Sequence, residues 1–116
     1  MADMKSQWIE HALQAINDKL GEETSVVDVG DVIGITDHFV ITCGRNTRQV
    51  RAIVEEIEDA IKKGTGPSPK RIEGLTDFKW VLMDYGDFVV HVFDLKEHEH
   101  YQLDKLWSDA PTEKIV

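Results

Sequence analysis

The stretch Trp80-Val81-Leu82-Met83-Asp84-Tyr85-Gly86-Asp87-Phe88-Val89-Val90-His91-Val92-Phe93 decides how this chain folds. Two runs rich in branched and aromatic side chains, Trp80 to Asp84 and Phe88 to Phe93, flank a turn of hairpin length. Such runs read as strands, because these side chains fit a pleated, covered surface. Their nearly unbroken apolar character predicts central strands covered on both faces. Gly86 can take the positive φ that closes the turn. Asp84 and Asp87 suit the local backbone N–H groups of such a turn. His91 alternates with apolar neighbours, so it is expected to be packed and hydrogen-bonded by something nearby.

Outward from this block the pattern changes period. Upstream, Lys70 to Glu73 is a short strand, and Thr65 to Pro69, with a glycine and two prolines, is a linker. Before it, Val50, Ile53, Val54, Ile57, Ala60 and Ile61 recur at helical spacing. Asn46 is the predicted N-cap with Gln49 as its capping-box partner, and Gly64 is the stop. Gly44 ends the strand His38 to Cys43, and Gly30 to Asp37 reads as a loop after a first strand at Val26, Val27 and Val29. Trp8, Ile9, Ala12, Leu13, Ile16 and Leu20 form one face of a helix over Met4 to Leu20, stopped by Gly21. Downstream, Leu103, Leu106, Trp107 and Ala110 predict a last helix. The order α-β-β-α-β-β-β-α makes an α/β fold: a single domain over residues 1–110, with a mixed five-stranded sheet and helices packed on it. Residues 111–116 are expected to be a flexible C-terminal tail.

The chain has 116 residues and a formal net charge of -9. That length suits one domain with a real core. The acidity argues against direct nucleic-acid binding, which draws its affinity from cations replacing counterions, and against an anionic membrane surface. A basic protein surface is the favoured partner. The single Cys43 offers no internal disulfide and reads as a small core residue. No secretory signal or membrane-spanning run is visible, so a cytoplasmic location is expected.

Reactive constellations are weak. Gly44-Arg45-Asn46-Thr47-Arg48, with Arg51, joins strand to helix without a P-loop or GxGxxG pattern and reads as a turn with solvated arginines. His98-Glu99-His100 and His91 lack metal-ligand spacing. Nucleotidyl transfer would call for a Gly-Ser turn and acids alternating on one strand. Here Arg45 follows Gly44, and the pairs Asp28/Asp31 and Asp84/Asp87 sit across turns. No catalytic residue, cofactor or metal is expected. What stands out is Glu73 to Phe93, where Trp80, Met83 and Tyr85 lie among acids. Aromatics and Met favour interface cores, and the acids suit a basic partner. Phe88 reads as core.

These residues resemble the ribosomal silencing factors, or Iojap family. The matching pattern is Asp37-x-Phe39-Val40-Ile41, Gly44-x-x-x-Arg48-Gln49-Val50, Glu73-Gly74, the block Trp80 to Asp87, Val89-Val90-His91-x-Phe93 and Tyr101-x-Leu103-x-x-Leu106-Trp107. It runs from about Leu13 to Trp107. The chain departs from it at His98, where many relatives carry Arg, and so loses any contact that Arg would make.

The resemblance implies a nucleotidyltransferase-like core without catalysis. It also implies a translational repressor that binds the large ribosomal subunit through large-subunit ribosomal protein fourteen. Occupancy there would block joining of the small subunit, and organelle relatives imply a role in large-subunit assembly. On this reading Trp80, Met83 and Tyr85 are the apolar anchors, and Glu73, Asp84 and Asp87 pair with Lys or Arg of the partner, with little direct nucleic-acid contact. Two alternatives differ in class: a magnesium-dependent nucleotidyl or phosphoryl transfer enzyme on the related fold, and a homodimer formed through an exposed strand or helix face.

Overall fold

A computed structural model describes residues 7–30 and 36–95, together with the backbone of 112–114. Helix α1 (Gln7–Asp18) buries Ile9, Ala12, Ala15 and Ile16, the three- and four-residue steps of one face. Helix α2 (Thr47–Lys63) buries Val50, Ile53, Val54, Ile57 and Ile61 in the same way. Its N-cap is Asn46, whose Oδ1 accepts from the Gln49 backbone N–H at 2.9 Å. The Gln49 side chain reaches further back than a capping box requires. Its Oε1 accepts from the Arg45 N–H at 2.7 Å, and its Nε2 donates to the Lys19 and Leu20 carbonyls at 2.9 and 3.0 Å. One side chain thus ties the start of α2 to the end of α1. The Gly64 N–H closes α2 on the Ala60 carbonyl.

Six strands form one mixed sheet in the order β3-β4-β5-β2-β1-β6. They are β1 (Glu22–Asp28), β2 (His38–Gly44), β3 (Arg71–Glu73), β4 (Trp80–Asp84), β5 (Phe88–Asp94) and β6 (Thr112–Lys114). Strands β2 and β5 run parallel at the centre, and every other neighbouring pair is antiparallel. The β4–β5 turn forms as expected, with Gly86 at φ +92° and the Asp84 Oδ1 accepting from the Gly86 N–H at 2.8 Å. In the β3–β4 connection Gly74 has φ +94°, and a Cβ there would collide with the Trp80 carbonyl. The first residue of β4 is therefore set against a backbone that only glycine supplies.

Two expectations are corrected. Residues 112–114 belong to no loose tail: they pair antiparallel with β1, Ser25 opposite Lys114 and Val27 opposite Thr112, and add a sixth strand to the expected five. Thr-Glu-Lys has no apolar alternation to announce a strand. The pairing comes from the backbone groups that the outer edge of β1 would otherwise leave unpaired. Nor is β4 a covered central strand. It lies second from an edge, and its residues alternate between half-buried and buried. The predicted last helix lies outside the described residues.

Both helices cover the same face of the sheet. Val26, Val40, Val81, Met83, Phe88, Val90 and Val92 point there and pack with the apolar stripes of α1 and α2. On the other face a smaller cluster of Val27, Val29, Ile41, Cys43 and Phe93 is flanked by the partly buried Phe39, Trp80 and Leu95. Cys43 is a core residue, as its strand position suggested. Met83 is fully enclosed on the helix side. Met83→Ala should therefore lower the free energy of unfolding by about 2–5 kcal/mol, the sum of lost transfer energy and a cavity. Urea titration checks this, and a loss below about 1 kcal/mol would show a side chain that is not enclosed.

Candidate docking face

Because strand side chains alternate, Trp80, Leu82 and Asp84 share the sheet face away from the helices, while Val81 and Met83 share the other. Register carries the pattern across the sheet. Leu82 stands opposite Glu73 on one side and His91 on the other, Asp84 opposite Arg71 and Val89, and Trp80 opposite Phe93. Phe39 of β2 lies beside Val89. The result is an open groove of about 690 Å³, floored by Phe39, Leu82, Val89 and His91 and rimmed by Lys70, Arg71, Asp84 and Asp87.

The six residues expected at a partner surface divide between the faces. Trp80 and Asp84 are half-buried on the open face, and Asp87 is exposed at the turn beside it. Glu73 is exposed on this face, where its carboxylate takes the Arg71 Nε–H at 3.1 Å. Met83 is on the opposite side and unavailable to any partner of the folded domain. Tyr85 is mostly enclosed: it stacks on Phe88 with centroids 5.0 Å apart and belongs to the helix-side core, while also lining the end of the groove. Burial pushes its hydroxyl pKa upward, with the Glu58 charge acting in the same direction. Alternation within Trp80 to Asp84 was the available signal. It separates Met83 from Trp80 and brings in Leu82, which sequence reasoning passed over together with Phe39, Val89 and the cations Lys70 and Arg71.

The acids also differ in what they already do. Asp84 caps its own turn through the Gly86 N–H, and Asp28 similarly accepts from the Gly30 N–H at 3.2 Å. The rim carries both signs of charge. The Arg71–Glu73 pair is exposed and contributes little to stability. A charged partner can exchange such a pair cheaply.

His91 is buried in this face. The Trp80 Nε1–H donates to its Nδ1 at 3.1 Å, and the indole stacks on Phe93 with centroids 5.0 Å apart and planes at 27°. Phe39 meets the imidazole edge-on at 4.7 Å. Indole nitrogen is only a donor, so His91 Nδ1 is bare and the proton of the neutral ring sits on Nε2. That nitrogen is buried and has no hydrogen-bond partner among the described residues. Burial lowers the imidazole pKa to about 4.

The fold is shared with known proteins. A family model described as ribosomal silencing factor during starvation matches residues 2–116. The chain belongs to the ribosomal silencing factor family. The ribosomal silencing factor of Bacillus subtilis is 41% identical over 100 residues, covering 86% of this chain and 84% of that one. A crystal structure of a protein from Bacillus halodurans superposes with a TM-score of 0.81 at 33% identity, covering 96% of this chain and all of that one. A mouse protein named for mitochondrial assembly of the ribosomal large subunit is 28% identical over 102 residues, covering 86% of this chain and 45% of its own length.

The buried imidazole gives this silencing factor a defined acid sensitivity. Its folded pKa lies below the unfolded value of 6.5, so between pH 6.5 and about 4 the unfolded chain binds a proton that the folded chain refuses. The contribution is fully present above pH 6.5 and is lost as pH falls, by an amount on the order of 3 kcal/mol. Urea unfolding at pH 7 and pH 4.5 should show wild type losing about 2 kcal/mol more than His91→Gln, with all carboxylates common to both. Equal losses would place the imidazole in a solvated setting.

Proposed function

We propose that this silencing factor represses translation by docking the open sheet face on large-subunit ribosomal protein fourteen, so that the bound domain excludes the small subunit. The observation that carries this reading is the face itself. One side of the sheet is sealed by two helices. The other presents Trp80, Leu82, Phe39 and Val89, all half-buried, with Asp84 and Asp87 at the margin. Half-buried aromatic and aliphatic side chains ringed by charge are the composition of an interface core and its rim. The net charge of -9 favours a basic protein over phosphate-rich RNA as the point of capture. Membership of a silencing family supports the repressive outcome. The mouse relative's name supports the large subunit as the particle and adds large-subunit assembly as a second role.

The mechanism is occupancy rather than catalysis. A rigid sheet face needs to bury only about 800 Å² of its own surface to form a stable standard interface. Trp80 is the anchor, because a large ring held at a face gives much contact for little lost freedom. Asp84 and Asp87 act chiefly on association rate and salt dependence. We place the protein in the cytoplasm, where free large subunits would be its target. Among the described residues no helix is long and apolar enough to cross a membrane.

Co-sedimentation with isolated large subunits, followed by addition of small subunits, tests both halves of the mechanism. Wild type should pellet with the large subunit and reduce joining. Trp80→Ala should weaken binding by about thirtyfold, or roughly 2 kcal/mol. A folded Trp80→Ala protein that binds as wild type does would remove the site. Binding without any effect on joining would remove the mechanism.

A further inference from the structure

His91 is an odd residue for its position. It is 4% exposed, it stands in a strand among Val89, Val90, Val92 and Phe93, and only one of its two nitrogens has a hydrogen-bond partner among the described residues. A buried donor left unsatisfied costs stability, and an apolar side chain of similar volume would serve a strand core better. Besides its ring contacts with Phe39 and Phe93, what the imidazole does that leucine could not is accept the Trp80 Nε1–H at 3.1 Å.

We propose that His91 is a positioning residue for docking: by accepting the indole N–H it fixes Trp80 across Phe93 and turns the polar edge of the ring inward, so that the partner meets carbon atoms there and needs no hydrogen-bond acceptor. The surroundings are built for this. Phe93, directly opposite Trp80 in the β4–β5 pairing, stacks beneath the indole, and Phe39 closes on the imidazole edge-on. The Trp80 backbone is held on its other flank by the tight Gly74 approach. Three constraints, from the backbone, a ring face and a hydrogen bond, leave the indole little choice of rotamer. An anchor already in its bound geometry spends little entropy when a partner arrives. The partner chemistry that fits is an apolar patch on an otherwise basic protein surface, with its cations reaching the Asp84 and Asp87 rim rather than the indole nitrogen.

This rests on the docking reading above, and the test separates the two. His91→Leu removes the acceptor and fills the space. His91→Gln keeps an oxygen able to accept from the indole. Binding to isolated large subunits is measured for both, with urea unfolding of each free protein as the structural control. His91→Leu should unfold at the same or a higher urea concentration than wild type at pH 7, yet bind about tenfold more weakly, and His91→Gln should recover most of that loss. In a Trp80→Phe background, which has no indole N–H, the same His91→Leu change should have no effect on affinity. A stable His91→Leu protein binding within about twofold of wild type overturns the proposal, as does an equal loss in the Trp80→Phe background. If the Leu variant does not fold, nitrogen NMR of the unaltered protein decides: a bare Nδ1 and protonated Nε2 are required, and the opposite tautomer overturns the proposal. Wild-type binding by Trp80→Ala, in contrast, removes the docking site itself.

Discussion

In β4 the side chains alternate, so Val81 and Met83 lie under α1 and α2 while Trp80, Leu82 and Asp84 lie on the far side. A slip of one residue against β5 would exchange the two sets. It would bring Asp84 beneath the helices and set Met83 on the surface. The register is pinned at both ends: by the turn in which Asp84 accepts from the Gly86 N–H, and by Gly74, whose missing side chain lets the preceding loop close on the Trp80 carbonyl. The helix-side core and the open face are thus two readings of one pairing.

The two faces are stabilised differently. On the helix side, fully enclosed valines, isoleucines and Met83 lose water outright, and the hydrophobic effect accounts for their placement. On the other side Val27, Val29, Ile41, Cys43 and Phe93 are fully buried, but Phe39, Trp80, Leu82 and Val89 beside them are only half-covered, and their geometry is fixed by a stacked indole, an edge-on phenyl ring and one hydrogen bond between two aromatic heterocycles. That arrangement adds less to stability than a repacked apolar cluster would. What it adds is shape: a set of side chains with little freedom left to lose.

Much of this was legible before the structure. The apolar stripe of α2, the Asn46 cap, the Gly64 stop and the β4–β5 hairpin follow from periodicity and turn chemistry and are found where expected, whereas the expected stripe of α1 holds for Ile9, Ala12 and Ile16 but not for Leu20, which lies past the helix end at φ +60° and is exposed. Membership of the silencing family was carried by the block around Trp80. The candidate face was only half legible. Composition draws the eye to every aromatic and Met between residues 73 and 93, but composition has no sides. Strand alternation separates Met83 from Trp80, but which of the two sides the helices cover, and that Tyr85 folds in beneath them, emerges only in three dimensions. Phe39 and Val89 were passed over because their neighbours come from parallel pairing between strands distant in sequence. The β6 strand left no trace in Thr112-Glu113-Lys114, since an edge strand held by backbone bonds needs no apolar pattern.

That sixth strand also sets an order of events. Strands β4 and β5 meet through a short turn, whereas β6 must return from the far end of the sequence to pair with β1. Closing so long a loop costs entropy that three residues of edge pairing repay only once the rest of the sheet is in place. The outer edge of β1 is therefore the last part of the sheet to be covered and the first to open. While it is open, the newly made domain carries an unprotected strand edge, a short kinetic window in which it can pair with another chain.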